Sequence, residues 1–397
     1  MHNLQKIKLF RTLLYVTYPL SAIFLYIPAI LKRKNEGKFF FFLDRYSIGG
    51  AQRVHLDMLE SIKDEQKQLY FTRLSPNDKL KQDFFSQQNT EAKDIYFFCD
   101  NLFFRLFAVH FYAFYVNRHN GAHVFSSNST FFYDMLPFLG KGLTKTELLH
   151  NFTYGNNGME FFGLANHKHL NHRMVIDAAT KLNIINQYIE YNIHADYASR
   201  ITLIEPGVPI PPPPQKKHDL PLKILYAGRG GPQKRIYLLN QIAEHCIKNK
   251  LPVEFHFAGT IMDELSDMVK NNSVIHGEVS GQAAMYSLYE QCHVIMMTSA
   301  YEGFPMLIKE GMACGCLPIV TALDGNKTHM RHMENSLLMF DPENEAGVVT
   351  QGIAHIMYLL ADPQNIATLC ASAYSYAKQH FNKEAFIQKS RDFLERG

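Results

Sequence analysis

Two glutamates eight positions apart, Glu302 and Glu310, frame the segment Glu302-Gly303-Phe304-Pro305-Met306-Leu307-Ile308-Lys309-Glu310. The apolar run 294–297 just before it reads as a buried strand, and the residues from Pro305 onward read as a helix. Proline is favoured at a first helical position. The unpaired N–H groups and the dipole of a helix starting there favour an anion, and open α/β sheets bind ligands beyond the carboxyl ends of their strands. Glu302 would lie in the loop and Glu310 inside the helix, roughly 9–12 Å apart along its axis at about 1.5 Å per residue. Carboxylates are strong acceptors for sugar hydroxyls, so the pair suits the two ends of an elongated, hydroxyl-rich ligand.

The same segment, with the small residues Gly311-Met312-Ala313-Cys314-Gly315 and the strand after them, resembles the E-x7-E element of retaining GT-B glycosyltransferases of family 4. The resemblance is good over about residues 222–391 and thin before them. It implies an α/β chain of the GT-B class: two Rossmann-like, doubly wound parallel-sheet lobes facing a central cleft. It implies that Glu302 contacts a donor sugar and Glu310 the ribose, helped by the main chain of Gly303, Phe304, Pro305 and Met306. Ala227-Gly228-Arg229 ends the first strand of the second lobe and Lys234 follows five residues later, where the family neutralises the donor diphosphate. Fixed cations there would stabilise the charge that a departing nucleoside diphosphate gains. The other reading of Arg229, Lys234 and Arg235 is a solvated basic loop.

In the first lobe, Gly49-Gly50-Ala51-Gln52-Arg53 is similar to the family's glycine loop, where backbone approaches the diphosphate or acceptor closely. His150 matches a family histidine facing the donor sugar, although a lone histidine is also an ordinary structural residue. Gly259 would line the nucleotide crevice. Two stretches depart from the family pattern: Asp324-Gly325-Asn326-Lys327-Thr328, which bears on base or sugar recognition, and Cys292-His293, which bears on packing.

The elements that must position these residues alternate between strand and helix, the pattern of a doubly wound sheet. In the first half, strands are predicted at 39–43, 68–72, 94–98, 122–126, 147–150, 184–186 and 201–204, with helices at 51–62, 101–118 and 173–182. The prolines 211–214, between Pro206-Gly207-Val208-Pro209 and Gln215-Lys216-Lys217, can continue neither a helix nor a central strand. The second half restarts the alternation. Strands are predicted there at 222–227, 253–258, 274–276, 294–297 and 317–320, and helices at 236–248, 263–269, 282–291, 305–313, 344–360 and 366–379, with a terminal helix around 392–396. The resulting division is a membrane-associated segment at 1–37, an acceptor domain at 38–207, a proline-rich linker at 208–219, a nucleotide-sugar domain at 220–380 and a helix at 381–397 that crosses back to the first lobe.

The chain has 397 residues, more than one core usually covers, and its 47% hydrophobic and 19% charged content argues against extensive disorder. A net charge of +3 gives no nucleic-acid footprint. The six cysteines form no CxxC pair and no zinc spacing, and are expected to be reduced, as in a cytoplasmic compartment. Residues 12–31 carry no charge and are flanked by Lys6, Lys8 and Arg11 before and Lys32-Arg33-Lys34 after. They are long enough to cross a bilayer, yet Pro19 and Pro28 and several tyrosines fit an interfacial or domain-packed helix as well. Attachment to the cytoplasmic side of a membrane, peripheral or anchored by these residues, is the expectation.

Together these readings predict a retaining hexosyltransferase moving sugar from a nucleotide sugar to a glycan or lipid-linked acceptor in envelope polysaccharide synthesis. No Asp-x-Asp motif occurs, so no metal or other cofactor is expected. A catalytically silent sugar-nucleotide-binding or assembly subunit, or a GT-B epimerase, is the alternative. A nicotinamide oxidoreductase is disfavoured, because Gly228-Arg229-Gly230-Gly231 is not the G-x-G-x-x-G fingerprint.

Overall fold

The computed structural model describes residues 3–31, 38–47, 49–153, 158–213, 220–279 and 281–396. They form two compact units, Met1–Glu205 with Ile387–Gly397 and Pro206–Phe386.

The first unit contains strands β1 (Phe39–Leu43), β2 (Lys67–Phe71), β3 (Thr90–Asp94), β4 (His123–Ser127), β5 (Thr144–Leu149), β6 (His172–Val175) and β7 (Ile201–Leu203). They lie in the order β3-β2-β1-β4-β5-β6-β7, every neighbour parallel. The phenylalanine run of β1 is buried along its whole length, as expected of a strand with helices on both faces. The second unit contains β8 (Leu222–Ala227), β9 (Val253–Ala258), β10 (Val274–Gly277), β11 (Val294–Met297), β12 (Leu317–Thr321) and β13 (Leu337–Met339), in the order β10-β9-β8-β11-β12-β13 and again parallel throughout. Alternate residues feed two cores: Leu222, Ile224 and Tyr226 point to one, Leu225 and Ala227 to the other.

Strand order reverses between β1 and β4 in one sheet and between β8 and β11 in the other. At such a switch point the connections leaving adjacent strands depart to opposite faces and open a crevice at the carboxyl edge. Gly49–Gly50 follows β1, residues 228–235 follow β8, and residues 298–305 follow β11.

The first helix, Asn3–Leu31, keeps Pro19 and Pro28 inside it and lies on the helix Leu102–Asn117 of the same unit. Leu14 and Ala29 join the core that Val109 and Ala113 line. Polar pins hold it there: Ser21 Oγ lies 2.7 Å from His110 Nδ1, Arg11 donates to Asn166 Oδ1 at 2.8 Å, and Arg118 donates to the Ala29 carbonyl at 3.1 Å. The basic residues 32–34 lie outside the described residues.

Several local expectations are corrected. Residues 96–98 begin the helix Tyr96–Asp100, and the strand precedes them as the polar edge β3. The apolar residues 95–98 imitated a strand, whereas an edge strand needs little apolar content. Residues 173–175 are strand β6 rather than helix, and 184–186 lie within the helix Ala178–Glu190. Arg173 misled the periodicity, because it is buried and paired with Glu147, also buried. The Asp177 side chain then caps the helix by accepting from the Thr180 N–H at 2.7 Å. Predicted helix 263–269 is a short turn, Met262–Glu264, and a separate helix, Asp267–Asn271, with Ser266 as its cap. Strand β13 went unpredicted.

Of the proline-rich stretch, residues 206–213 are described, and they pack within the second unit. The Val208 N–H donates to the Phe381 carbonyl at 2.7 Å, and the Lys383 N–H donates to the Val208 carbonyl at 3.0 Å. The carbonyls of Pro209 and Pro211 accept from Tyr286 and Tyr374 hydroxyls at 3.1 and 2.9 Å. Residues 214–219 lie outside the described residues.

Candidate active site

The loops after β8 and β11 flank the switch point of the second sheet, and their charged side chains meet: Lys234 Nζ donates to Glu302 Oε1. The two loops are stitched along their backbones as well. The Ala300 N–H donates to the Gln233 carbonyl at 2.8 Å, and Gln233 Nε2 donates to the Tyr301 carbonyl at 2.8 Å. Arg235, in a left-handed conformation with φ 48° and only 5% exposed, aims its guanidinium under both loops. It donates to the carbonyls of Thr298 at 2.7 Å, Ser299 at 3.0 Å and Pro342 at 2.6 Å. Three separate nitrogens of the planar fork each serve a different carbonyl, a spread that the single nitrogen of an ammonium does not reproduce. Thr298 Oγ1 returns a bond to the Arg235 carbonyl at 3.1 Å. Lys234 is thus held at Glu302 by the residue beside it, which the solvated-loop reading would have left in water.

Arg229 is exposed, and its carbonyl accepts from the Tyr226 hydroxyl at 2.9 Å. Burial raises the Tyr226 pKa, with the negative charges of Glu302 and Glu264 adding to it, so this hydroxyl stays a donor. Beneath the same loop the backbone packs on itself. A Cβ on Gly259, whose φ is +113°, would lie 1.9 Å from the Gly228 carbonyl oxygen, so the β8 and β9 turns require glycine here.

Pro305 caps the next helix instead of starting it: it keeps an extended backbone, and the helix runs Met306–Ala313. The Ile308 N–H donates to the Pro305 carbonyl at 3.0 Å, so the N–H groups of Met306 and Leu307 precede the first helical bond. Gly303 has open space where a side chain would stand. Glu310 lies deeper, 7% exposed, and its Oε2 accepts from the Tyr289 hydroxyl at 2.9 Å. Burial, and then the Glu310 charge, push the Tyr289 pKa well up, which keeps that proton on the tyrosine. The departing stretch 324–328 also belongs to this region. A Cβ on Gly325 would lie 1.8 Å from the Gly303 carbonyl oxygen and 3.0 Å from that of Glu302.

The first unit holds Gly49, Gly50 and His150 of the predicted residues. Gly49 precedes the helix Gly50–Ser61 with an extended backbone, and Gly50 faces open space. Neither adopts a left-handed φ, so the fold itself does not demand glycine there. His150, just past β5, places its Nε2 3.0 Å from Nε2 of His55 on that helix. Burial holds His150 down at about 4 and His55 well below its ordinary value, so the pair is neutral, one ring donating and the other accepting.

The structure therefore brings together Glu302 with Lys234, Gly228 with Gly259, and the Gly303 backbone with the loop after β12. Arg235, Tyr289, Tyr226, Gly325 and His55 escaped the sequence reading as site-forming residues. His55 carried a signal, since it shares the buried face of its helix with Val54, Met58 and Leu59, where a histidine needs a polar partner. Among the described residues, no three His, Cys, Asp or Glu side chains are grouped as metal ligands would be. All six cysteines are buried and none forms a disulfide.

Structural comparison places this architecture among known enzymes. The structure of Anabaena HepE in complex with UDP matches with a TM-score of 0.70 at 15% identity, over 91% of this chain and 100% of that one. A Rickettsia africae glycosyltransferase matches with 0.69 at 15%, over 91% and 99%, and TarM with 0.68 at 13%, over 90% and 98%. The chain has the GT-B fold of these glycosyltransferases. Residues 221–358, within the second unit, match the family model for glycosyl transferases group 1. No curated protein matches it in sequence.

Proposed function

We propose that this chain is a retaining glycosyltransferase that transfers a hexose-type sugar from a nucleoside-diphosphate sugar to a glycan or lipid-linked acceptor in cell-envelope polysaccharide synthesis. The observation that carries the reading is the Lys234–Glu302 pair at the switch point of the second sheet. Cation and carboxylate neutralise each other there, between an open glycine backbone and an exposed arginine. A bound donor divides them: Lys234 and Arg229 take the diphosphate, Glu302 takes sugar hydroxyls, and Glu310 takes the ribose hydroxyls. The uridine nucleotide bound to HepE in its solved structures makes a uridine diphosphate sugar the first donor to try.

In this mechanism the bond between the anomeric carbon and the diphosphate oxygen breaks as the acceptor oxygen bonds to that carbon from the same face. The acceptor proton passes to the leaving diphosphate oxygen, so no side chain acts as general base. Arg229, Lys234 and the N–H groups of Met306 and Leu307 stabilise the charge that grows on the leaving group, which is the basis for metal independence. His150 faces the sugar as a neutral hydrogen-bonding group, and Gly49 and Gly50 leave room for close backbone approach. The enzyme works on the cytoplasmic side of a membrane, to which residues 12–31 attach it.

A screen of nucleotide sugars by thermal shift identifies the donor, and labelled transfer then tests catalysis. Lys234→Ala and Glu310→Ala should each abolish transfer while the circular dichroism spectrum stays native. Full turnover in either variant would overturn the site assignment.

A further inference from the structure

The first helix is long and apolar enough to cross a membrane, but one side of it is committed to the first unit. Ser21, Arg11 and Ala29 are pinned as described, and the helix beneath, Leu102–Asn117, packs in turn on the sheet, Tyr112 against Phe42 and Tyr115 against Phe40. Spanning a bilayer would strip these polar pins and carry the sheet into lipid. The other side is free. Val16, Leu20, Ile23, Phe24, Ile27 and Leu31 recur at helical spacing and are 48–76% exposed.

A second apolar surface continues the first. Phe97, Phe98, Leu102, Phe103 and Phe104 are 40–65% exposed and pack on one another, with ring centroids 5.5 Å apart for Phe97–Phe104 and 5.8 Å for Phe103–Phe104. They lie in the short helix Tyr96–Asp100 and the first turn of the helix Leu102–Asn117, the end that adjoins the start of the first helix, because the Arg105 guanidinium sits 5.7 Å from the Phe10 ring centroid. Asp100 is the single charged residue of 96–104, the first helix has no acidic residue, and its Lys6 and Lys8 are exposed. A soluble monomer rarely leaves so much contiguous apolar surface in water.

We infer that the first helix and the aromatic cluster 97–104 form one monotopic docking face for an anionic lipid surface, with the helix lying along the membrane and the phenylalanines inserted at its amino-terminal end. This rests on the membrane attachment proposed for residues 12–31 and adds a second contact and a seating to it. Apolar side chains enter the acyl boundary while the lysines meet headgroup phosphates.

The chain contains no tryptophan, so Phe103→Trp supplies a single fluorophore at the cluster. With the full-length protein and vesicles of three parts phosphatidylcholine to one part phosphatidylglycerol, its emission should shift to the blue and be quenched by brominated lipid. The double variant Phe97→Ser/Phe103→Ser should partition about tenfold more weakly or worse, and the wild type should bind pure phosphatidylcholine several-fold more weakly. If the wild type binds and neither the double substitution nor F103W reports lipid, the aromatic contact is refuted while attachment through residues 12–31 stands. If the wild type does not bind vesicles, both fall. Dimers in light scattering without lipid, lost in the double variant, would make the face an interface between copies and also overturn the inference.

Discussion

Replacing Gly325 by alanine adds one methyl group at the point where the loop after β12 backs the donor loop. That carbon would sit 1.8 Å from the Gly303 carbonyl oxygen, about 1.6 Å short of the 3.4 Å at which ordinary contact begins, and 3.0 Å from the Glu302 carbonyl. Both neighbours are main chain, so no flexible side chain can give way. The backbone that carries Glu302, and with it the Lys234 pair, must yield by roughly 1 Å or more. Overpacking of this kind costs about 1–3 kcal/mol of stability, a melting shift of several degrees for a unit of this size. A reacting group displaced by about 1 Å costs on the order of a hundredfold in rate. Gly325→Ala should therefore remain folded at 25 °C and lose about two decades of turnover with the donor identified by thermal shift. A control that removes charge without moving backbone, Lys327→Ala, should change little. If Gly325→Ala turns over within threefold of the wild type, then Glu302 does not depend on this packing and the assigned geometry is wrong.

Arg235→Lys keeps the charge but gathers its donors on one nitrogen, out of reach of carbonyls now served by three; unfolding in urea should show a loss of about 2–4 kcal/mol, from bonds left unmade in a buried place. Tyr289→Phe removes the hydroxyl that bonds Glu310 and should cost about 1 kcal/mol of stability; calorimetric titration should show a change in nucleotide affinity larger than any change in turnover. Burial lowers His110 and His123 to about 4. Between there and the ordinary value near 6.5 the unfolded chain binds protons that the native state refuses. Stability should therefore be intact above pH 6.5 and fall as pH drops toward 4, by up to about 3 kcal/mol for each histidine. His123→Gln should flatten part of that slope in melting curves; an unchanged slope would show that His123 is already protonated when folded.

What was legible in the sequence follows from how each signal arises. Fully buried parallel strands such as Phe39–Leu43 and Val294–Met297 announce themselves as unbroken apolar runs, and the Glu302–Glu310 segment combines a turn, a proline and a helix in one short stretch. The edge strand β3 has no such run, because its residues are at most half-buried. Strand β6 hides behind Arg173, whose charge is neutralised by Glu147 from the neighbouring strand β5, a pairing invisible before the strands are placed side by side. The same holds within the site. Lys234 could be named from its spacing to Arg229, but Arg235 could not be told from a surface cation. Its role depends on carbonyls at 298, 299 and 342 that only the fold brings near. Gly325 stood inside the stretch noted as a departure, although its packing partner lies more than 20 residues away in the chain.

The bond from His123 to the Leu394 carbonyl, at 3.0 Å, closes a separation of 271 residues, with the same ring held from its other side by Thr146 at 2.7 Å. The whole of Pro206–Phe386 must leave the ribosome before that contact can form. During synthesis the second unit has every strand of its sheet available while the first still lacks its closing helix. The buried ring of His123 stays uncovered until then. A chain truncated after residue 386 and released should therefore protect the second unit from protease and leave the first open at His123, so that the unit begun first is the one completed last.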